Sequence, residues 1–106
     1  VMAEKFTGAG SMHHIAALSG LAEAQVAAKM PVALATAQRA VDATKFGKAP
    51  PPATAMAYLA LAKAQKAAGN RNGARASLKV VEDTLPSLGP SGARLAEGVK
   101  QARQGL

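Results

Sequence analysis

From Met12 to Ala28 the apolar residues Ile15, Leu18, Leu21, Ala22 and Val26 recur at intervals that line one face of a helix. Ser11 stands where an N-cap would. Pro31, tolerated only near a helix start, opens a second helix that runs to about Thr44 and is stopped by Gly47. A third is expected from about Ala53 to Ala68. It carries Tyr58, Leu61, Ala62 and Gln65 on one stripe and closes at Gly69-Asn70, a pair suited to a left-handed cap. Asn72 is the expected cap of a fourth helix, in which Ala74, Leu78, Val81 and Leu85 share a face until Pro86. After Ser87-Leu88-Gly89-Pro90, a last helix from about Ser91 to Arg103 offers Leu95, Ala96, Val99 and Ala102. The predicted fold is all-α, a single domain of about five helices with short turns and therefore antiparallel neighbours. Its parts are an irregular arm over 1–10, a helix pair over 11–46, a stiff proline-rich connector over 47–52, a second pair over 53–86 and a closing helix over 90–104.

Composition sharpens this picture. Of the 106 residues 27 are Ala, with two Phe, one Tyr and no Trp, so the core must come from backbones that approach closely rather than from bulky side chains. Ala is also the best helix former and is depleted in strands. No apolar run reaches the roughly 18 to 20 residues that span a bilayer. The absence of Cys excludes disulfides, zinc-thiolate sites, thiol nucleophiles and covalent haem attachment. Val1-Met2-Ala3 has the small-x-small character of the end of an export signal, which leans the expected compartment toward a bacterial periplasm over the cytoplasm.

Leu61-Ala62-Lys63-Ala64-Gln65 repeats Leu21-Ala22-Glu23-Ala24-Gln25 with a step of 40 residues, and Leu95-Ala96-Glu97 recurs 34 residues later. Fixed steps of this length point to stacked helix pairs. Ala55–Pro86 resembles a tetratricopeptide repeat. Tyr58 stands at the large aromatic place, Leu61-Ala62 at the Leu-small pair and Gly69 at the turn. Ala74 is the small crossing residue, Leu78 the large one, Val81 the next small one and Pro86 the closing proline. Ala62 and Ala74 would let the paired axes approach to the short end of the roughly 8–10 Å range. Leu18–Val41 is a weaker copy: Lys29-Met30-Pro31 replaces the glycine turn, and Ala33, Ala37 and Ala40 fit only if that turn is one residue shorter. Ser91–Arg103 would be a half-repeat serving as a cap. The resemblance implies a short right-handed α-solenoid, against the alternative of an unrelated helical bundle. It also implies a partner-holding groove lined by Ser19, Glu23, Val26, Met56, Leu59, Lys63, Lys66, Ala93, Glu97 and Lys100. Lys63 and Lys66 are the preferred anchors. The acidic-tail clamp of chaperone-binding members would need Asn where Lys63 stands, so an acidic or mixed apolar protein surface is the partner expected.

Candidate chemistry is sparse. Met12, His13 and His14 form the one cluster of soft or imidazole donors, but adjacent histidines on a helix point about 100° apart, poorly placed to share an ion. The six carboxylates are scattered with no discernible acid–base pair, and Gly8-Ala9-Gly10-Ser11 lacks the lysine and the preceding strand of a phosphate cradle. Net charge is +7, with Lys63, Lys66, Arg71, Arg75 and Lys79 gathered on the third and fourth helices. They would attract phosphate, yet that half offers only Tyr58 as an aromatic platform. The expectation is a non-catalytic protein-interaction scaffold or accessory subunit, without a cofactor, with self-association as a means of covering Ala-rich faces. The alternatives are a basic nucleic-acid-binding module, and a metal- or haem-associated carrier using Met12, His13 or His14.

Overall fold

The computed structural model describes residues 12–46, 51–104 and 106, with the backbone alone at Met12, His13, Phe46 and Ser91. Among these residues the chain is all-α, without a strand: α1 (Met12–Ala27), α2 (Ala33–Phe46), α3 (Pro51–Ala67), α4 (Arg71–Thr84) and α5 (Gly92–Arg103). Two 3₁₀ turns, Leu85–Ser87 and Gly89–Ser91, lead into α5, each with a proline in its first positions. No helix among the described residues is long and apolar enough to cross a membrane.

The helix ends depart from the sequence pattern in three places, each for a local reason. The third helix starts at Pro51 rather than near Ala53, so Pro51 and Pro52 belong to its first turn and not to an extended connector. A first-turn proline lacks only an N–H that would have had no intrahelical acceptor, and its fixed φ already suits the helix. The arm over 1–10 and the connector residues 47–50 lie outside the described residues. The second helix starts at Ala33, two residues beyond Pro31, and the Ala33 amide donates back to the Met30 carbonyl at 3.1 Å. Asn70, not Asn72, caps α4. Its Oδ1 accepts from the Gly73 amide at 3.0 Å, whereas Asn72 Oδ1 accepts from Arg75 Nη1 at 3.3 Å.

The two inter-helix turns have the same hydrogen bonding, one repeat apart. In the second, Gly69 takes φ +86°, its amide donates to the Lys66 carbonyl at 3.1 Å, and the Asn70 amide donates to the Gln65 carbonyl at 2.8 Å. In the first, Lys29 takes φ 58°, its amide donates to Val26 at 3.0 Å, and the Met30 amide donates to Gln25 at 2.8 Å. Both are Schellman closures, in which a left-handed residue lets two amides satisfy the last carbonyls of the helix. The step of 40 residues is therefore a property of the backbone as well as of the side chains. In the second helices the burial step is one residue longer. Ala33, Ala37 and Ala40 are buried in α2 as Ala74, Leu78 and Val81 are in α4.

Helix α3 packs against all four others, and α1 with α2 and α4 with α5 complete the principal contacts. The interior divides along α3. One core joins α1, α2 and α3, and of its fully buried members only Ile15, Val41 and Leu61 are larger than Ala. The other joins α3, α4 and α5 around Leu59, Leu78, Val81, Leu88 and Val99, and half-buried Tyr58 packs against both. Ala62 and Ala74 are buried at the α3–α4 pairing, where their lack of bulk allows close approach. On the other side of α3, a Cβ added at Gly98 would lie 2.8 Å from Leu59 Cδ2, so glycine there is what lets α5 come down onto α3.

Candidate partner-binding face

The sequence places ten residues on one face of α1, α3 and α5, and the structure sorts them into three groups. Ser19 and Leu59, at equivalent points of α1 and α3, are 3% and 5% exposed and so are packed inside rather than open to a ligand. The cause at Leu59 is the close approach of α5 at Gly98. Glu23, Val26, Met56, Lys63 and Lys66 are half-buried, and Ala93, Glu97 and Lys100 are exposed.

The half-buried charges are engaged within the chain. Lys63 Nζ donates to Glu23 Oε1 at 2.6 Å, tying α3 to α1. Lys66 Nζ donates to the Gln104 carbonyl, and Arg75 on α4 donates to the Leu106 carbonyl, so two cations hold the residues after α5. The expected anchors Lys63 and Lys66 thus stitch successive helices together. What this part of the molecule leaves open to another molecule is Ala93, Glu97 and Lys100 on α5, with Val26 and Met56 partly accessible.

Val26 also lines a half-open apolar cleft of about 640 Å³ at the α1–α2 turn, with Lys29, Met30, Ala33, Leu34 and Ala64 among its walls. Met30 and Leu34 are among the most exposed large apolar side chains of the described residues. The cleft was not foreseen from the sequence. The signal was present in Met30-Pro31-Val32-Ala33-Leu34, an apolar run at a turn where a polar sequence is usual.

Two further contacts bear on the site without touching it. Arg103 grips Glu82 through both Nε, at 2.9 Å from Oε2, and Nη2, pinning α5 to α4. The Arg103 hydrogen bond holds the Glu82 carboxyl below the usual carboxylate range, and the same contact raises the Arg103 guanidinium. Ser77 Oγ donates to Gln65 Oε1 at 2.7 Å between α3 and α4. One repeat earlier Thr36 turns instead to the Val32 carbonyl of its own helix at 3.2 Å, and Gln25 Oε1 is left buried without a partner, as is Ser19 Oγ.

For metal chemistry, no group of three or more His, Asp or Glu side chains among the described residues is placed to hold an ion. His14 is half-buried near the start of α1, while the side chains of Met12 and His13 lie outside the described residues. Arg71, Arg75 and Lys79 are exposed at successive turns of α4, a basic row separated from Lys63 and Lys66 by the contacts those two make. No family model, curated protein or solved structure matches the chain.

Proposed function

We propose that this chain is a non-catalytic scaffold or small accessory subunit that holds another protein, built as a short stack of tetratricopeptide-like helix pairs closed by α5. The observation that carries the reading is the pair of superposable turns at Lys29 and Gly69. Identical closure of α1 and α3, with matching burial on both members of each pair, is what stacked repeats require. Contacts between α1 and α3 and between α3 and α5 agree with one layer of first helices, whose outer side would receive the partner.

The partner is a protein segment of mixed apolar and charged character. Glu97 and Lys100 read its charges, and the cleft beside Val26 takes an apolar side chain. Lys63 and Lys66 contribute by holding α1, α3 and the residues after α5 in register rather than as first contacts.

Retention of native partners on the immobilised chain tests this. A defined protein is expected to be retained by the wild type and lost from the Glu97→Lys, Lys100→Glu double variant, whose exposed positions leave the helical circular dichroism unchanged. Undiminished retention by that variant contradicts the assignment. Capture of nucleic acid alone, released at moderate salt, would point instead to the basic row on α4.

A further inference from the structure

The face by which α3 packs on the first helix pair consists of Ala57, Ala60, Leu61 and Ala64, all buried in the core shared with α1 and α2. The same positions one repeat earlier are Ala17, Gly20, Leu21 and Ala24 on α1, and all four are exposed. Leu21 is 50% exposed where Leu61 is 5%, and a Cβ added at Gly20 meets nothing. The molecule thus contains the same surface twice, once covered by helices and once bare.

Charge decides what covers the bare copy. The chain carries +7, which opposes self-association wherever cations face one another. Apart from Glu23, which is neutralised by Lys63, α1 has no Asp, Glu, Lys or Arg, so its front is free of that repulsion. At the opposite end α5 closes the stack and presents Arg94, Glu97 and Lys100 outward, a poor socket for an apolar front. Head-to-tail stacking is therefore disfavoured, and front-to-front contact about a two-fold axis is the closed arrangement that remains. We propose that the α1 face of Ala17, Gly20, Leu21 and Ala24 is a self-association surface that pairs with the same face of a second copy. The small residues let two α1 helices approach closely, and Leu21 of each fills the space beside the other's Gly20. An α1 about 24 Å long presents less than the usual interface of roughly 800 Å² per partner, so the dimer is reversible on dilution.

Sedimentation of the wild-type chain over micromolar to millimolar concentration is expected to show a monomer–dimer equilibrium that Leu21→Lys abolishes while helical content is retained. A wild type that is monomeric throughout overturns the proposal, as does a Leu21→Lys chain that still dimerises. Because the sequence has no Cys, single introduced thiols give an independent reading. Under mild oxidation Gly20→Cys is expected to form a disulfide dimer at least tenfold faster than Arg94→Cys on the exposed side of α5. Equal rates would also overturn it. The proposal does not depend on the partner-binding face, because Glu97→Lys, Lys100→Glu is expected to leave the dimer intact.

Discussion

Lys29 and Gly69 hold the same left-handed place at the end of α1 and α3, but only glycine does so without steric cost. Lys29→Gly is expected to stabilise the chain by about 0.5–1 kcal/mol, the relief of the left-handed conformation exceeding the added freedom of the unfolded chain. Gly69→Ala is expected to destabilise it by about 1 kcal/mol, for the same reason with opposite sign. Urea midpoints measure both, and a shift in the same direction for the two variants would contradict the equivalence of the turns. Ala74→Leu makes a different test. Ala74 is fully buried, so a larger side chain must push α4 from α3, at a cost of about 1–3 kcal/mol. An unchanged midpoint would mean that the pairing has room to spare. These residues also show how far the sequence is legible. Tyr58, Ala62, Gly69, Ala74 and Leu78 were identifiable by fixed offsets because each must satisfy a short-range demand of size or backbone angle. Asn70 displaced Asn72 as the cap because the left-handed Gly69 ends α3 so tightly that α4 begins at once.

Helix α5 is joined to the rest by few large apolar contacts, so its ion pair matters more than a surface pair usually would. Glu82 has a lower pKa in the folded chain than in the unfolded one, with the Arg103 hydrogen bond as the main cause. The pair's contribution is therefore complete above the usual carboxylate range and is lost as pH falls through and below it. With both side chains about 40% exposed, that contribution is on the order of 0.5 kcal/mol and weakens with salt. Amide exchange in α5 is expected to accelerate relative to α3 on acidification, and Glu82→Gln should show the faster α5 exchange already at neutral pH. Equal α5 protection in Glu82→Gln and wild type at neutral pH would show that packing alone holds the helix. Neither this pair nor Lys66 with Gln104 was legible in the sequence, because partners 21 and 38 residues apart meet only once helix rotation is known. Glu23 with Lys63 did leave a trace. Opposite charges at the same place in successive repeats fall side by side when those helices stack, a signal visible in Leu21-Ala22-Glu23 and Leu61-Ala62-Lys63. The burial of Ser19 and Leu59 left none, since a groove position and an inter-helix position differ by a small rotation that only the approach of α5 at Gly98 resolves.

Taken whole, the molecule is two cores of unequal strength hung on one helix. Burial stabilises in proportion to apolar area at roughly 25 cal/mol per Å², so a core of methyl groups yields less than one of Leu and Val. The core beneath α1 and α2 has only Ile15, Val41 and Leu61 above Ala in size, and it also buries the unpartnered oxygens of Ser19 and Gln25. The core beneath α4 and α5 has Leu59, Leu78, Val81, Leu88 and Val99, with Ser77 and Gln65 satisfying one another. The first pair should therefore open before the second, and α3, which serves both, should open last. Native-state hydrogen exchange at rising urea is the measurement: α2 amides are expected to exchange at a lower opening free energy than α4 amides, with central α3 amides the slowest. Faster exchange in α4 than in α2 would reverse the ranking of the cores, and one common opening energy for all helices would show a single cooperative unit. The softer pair is also the one that carries the bare α1 face and the cleft at Val26. Whatever covers either surface must therefore slow exchange in α1 and α2 first, and by a larger factor than in α4.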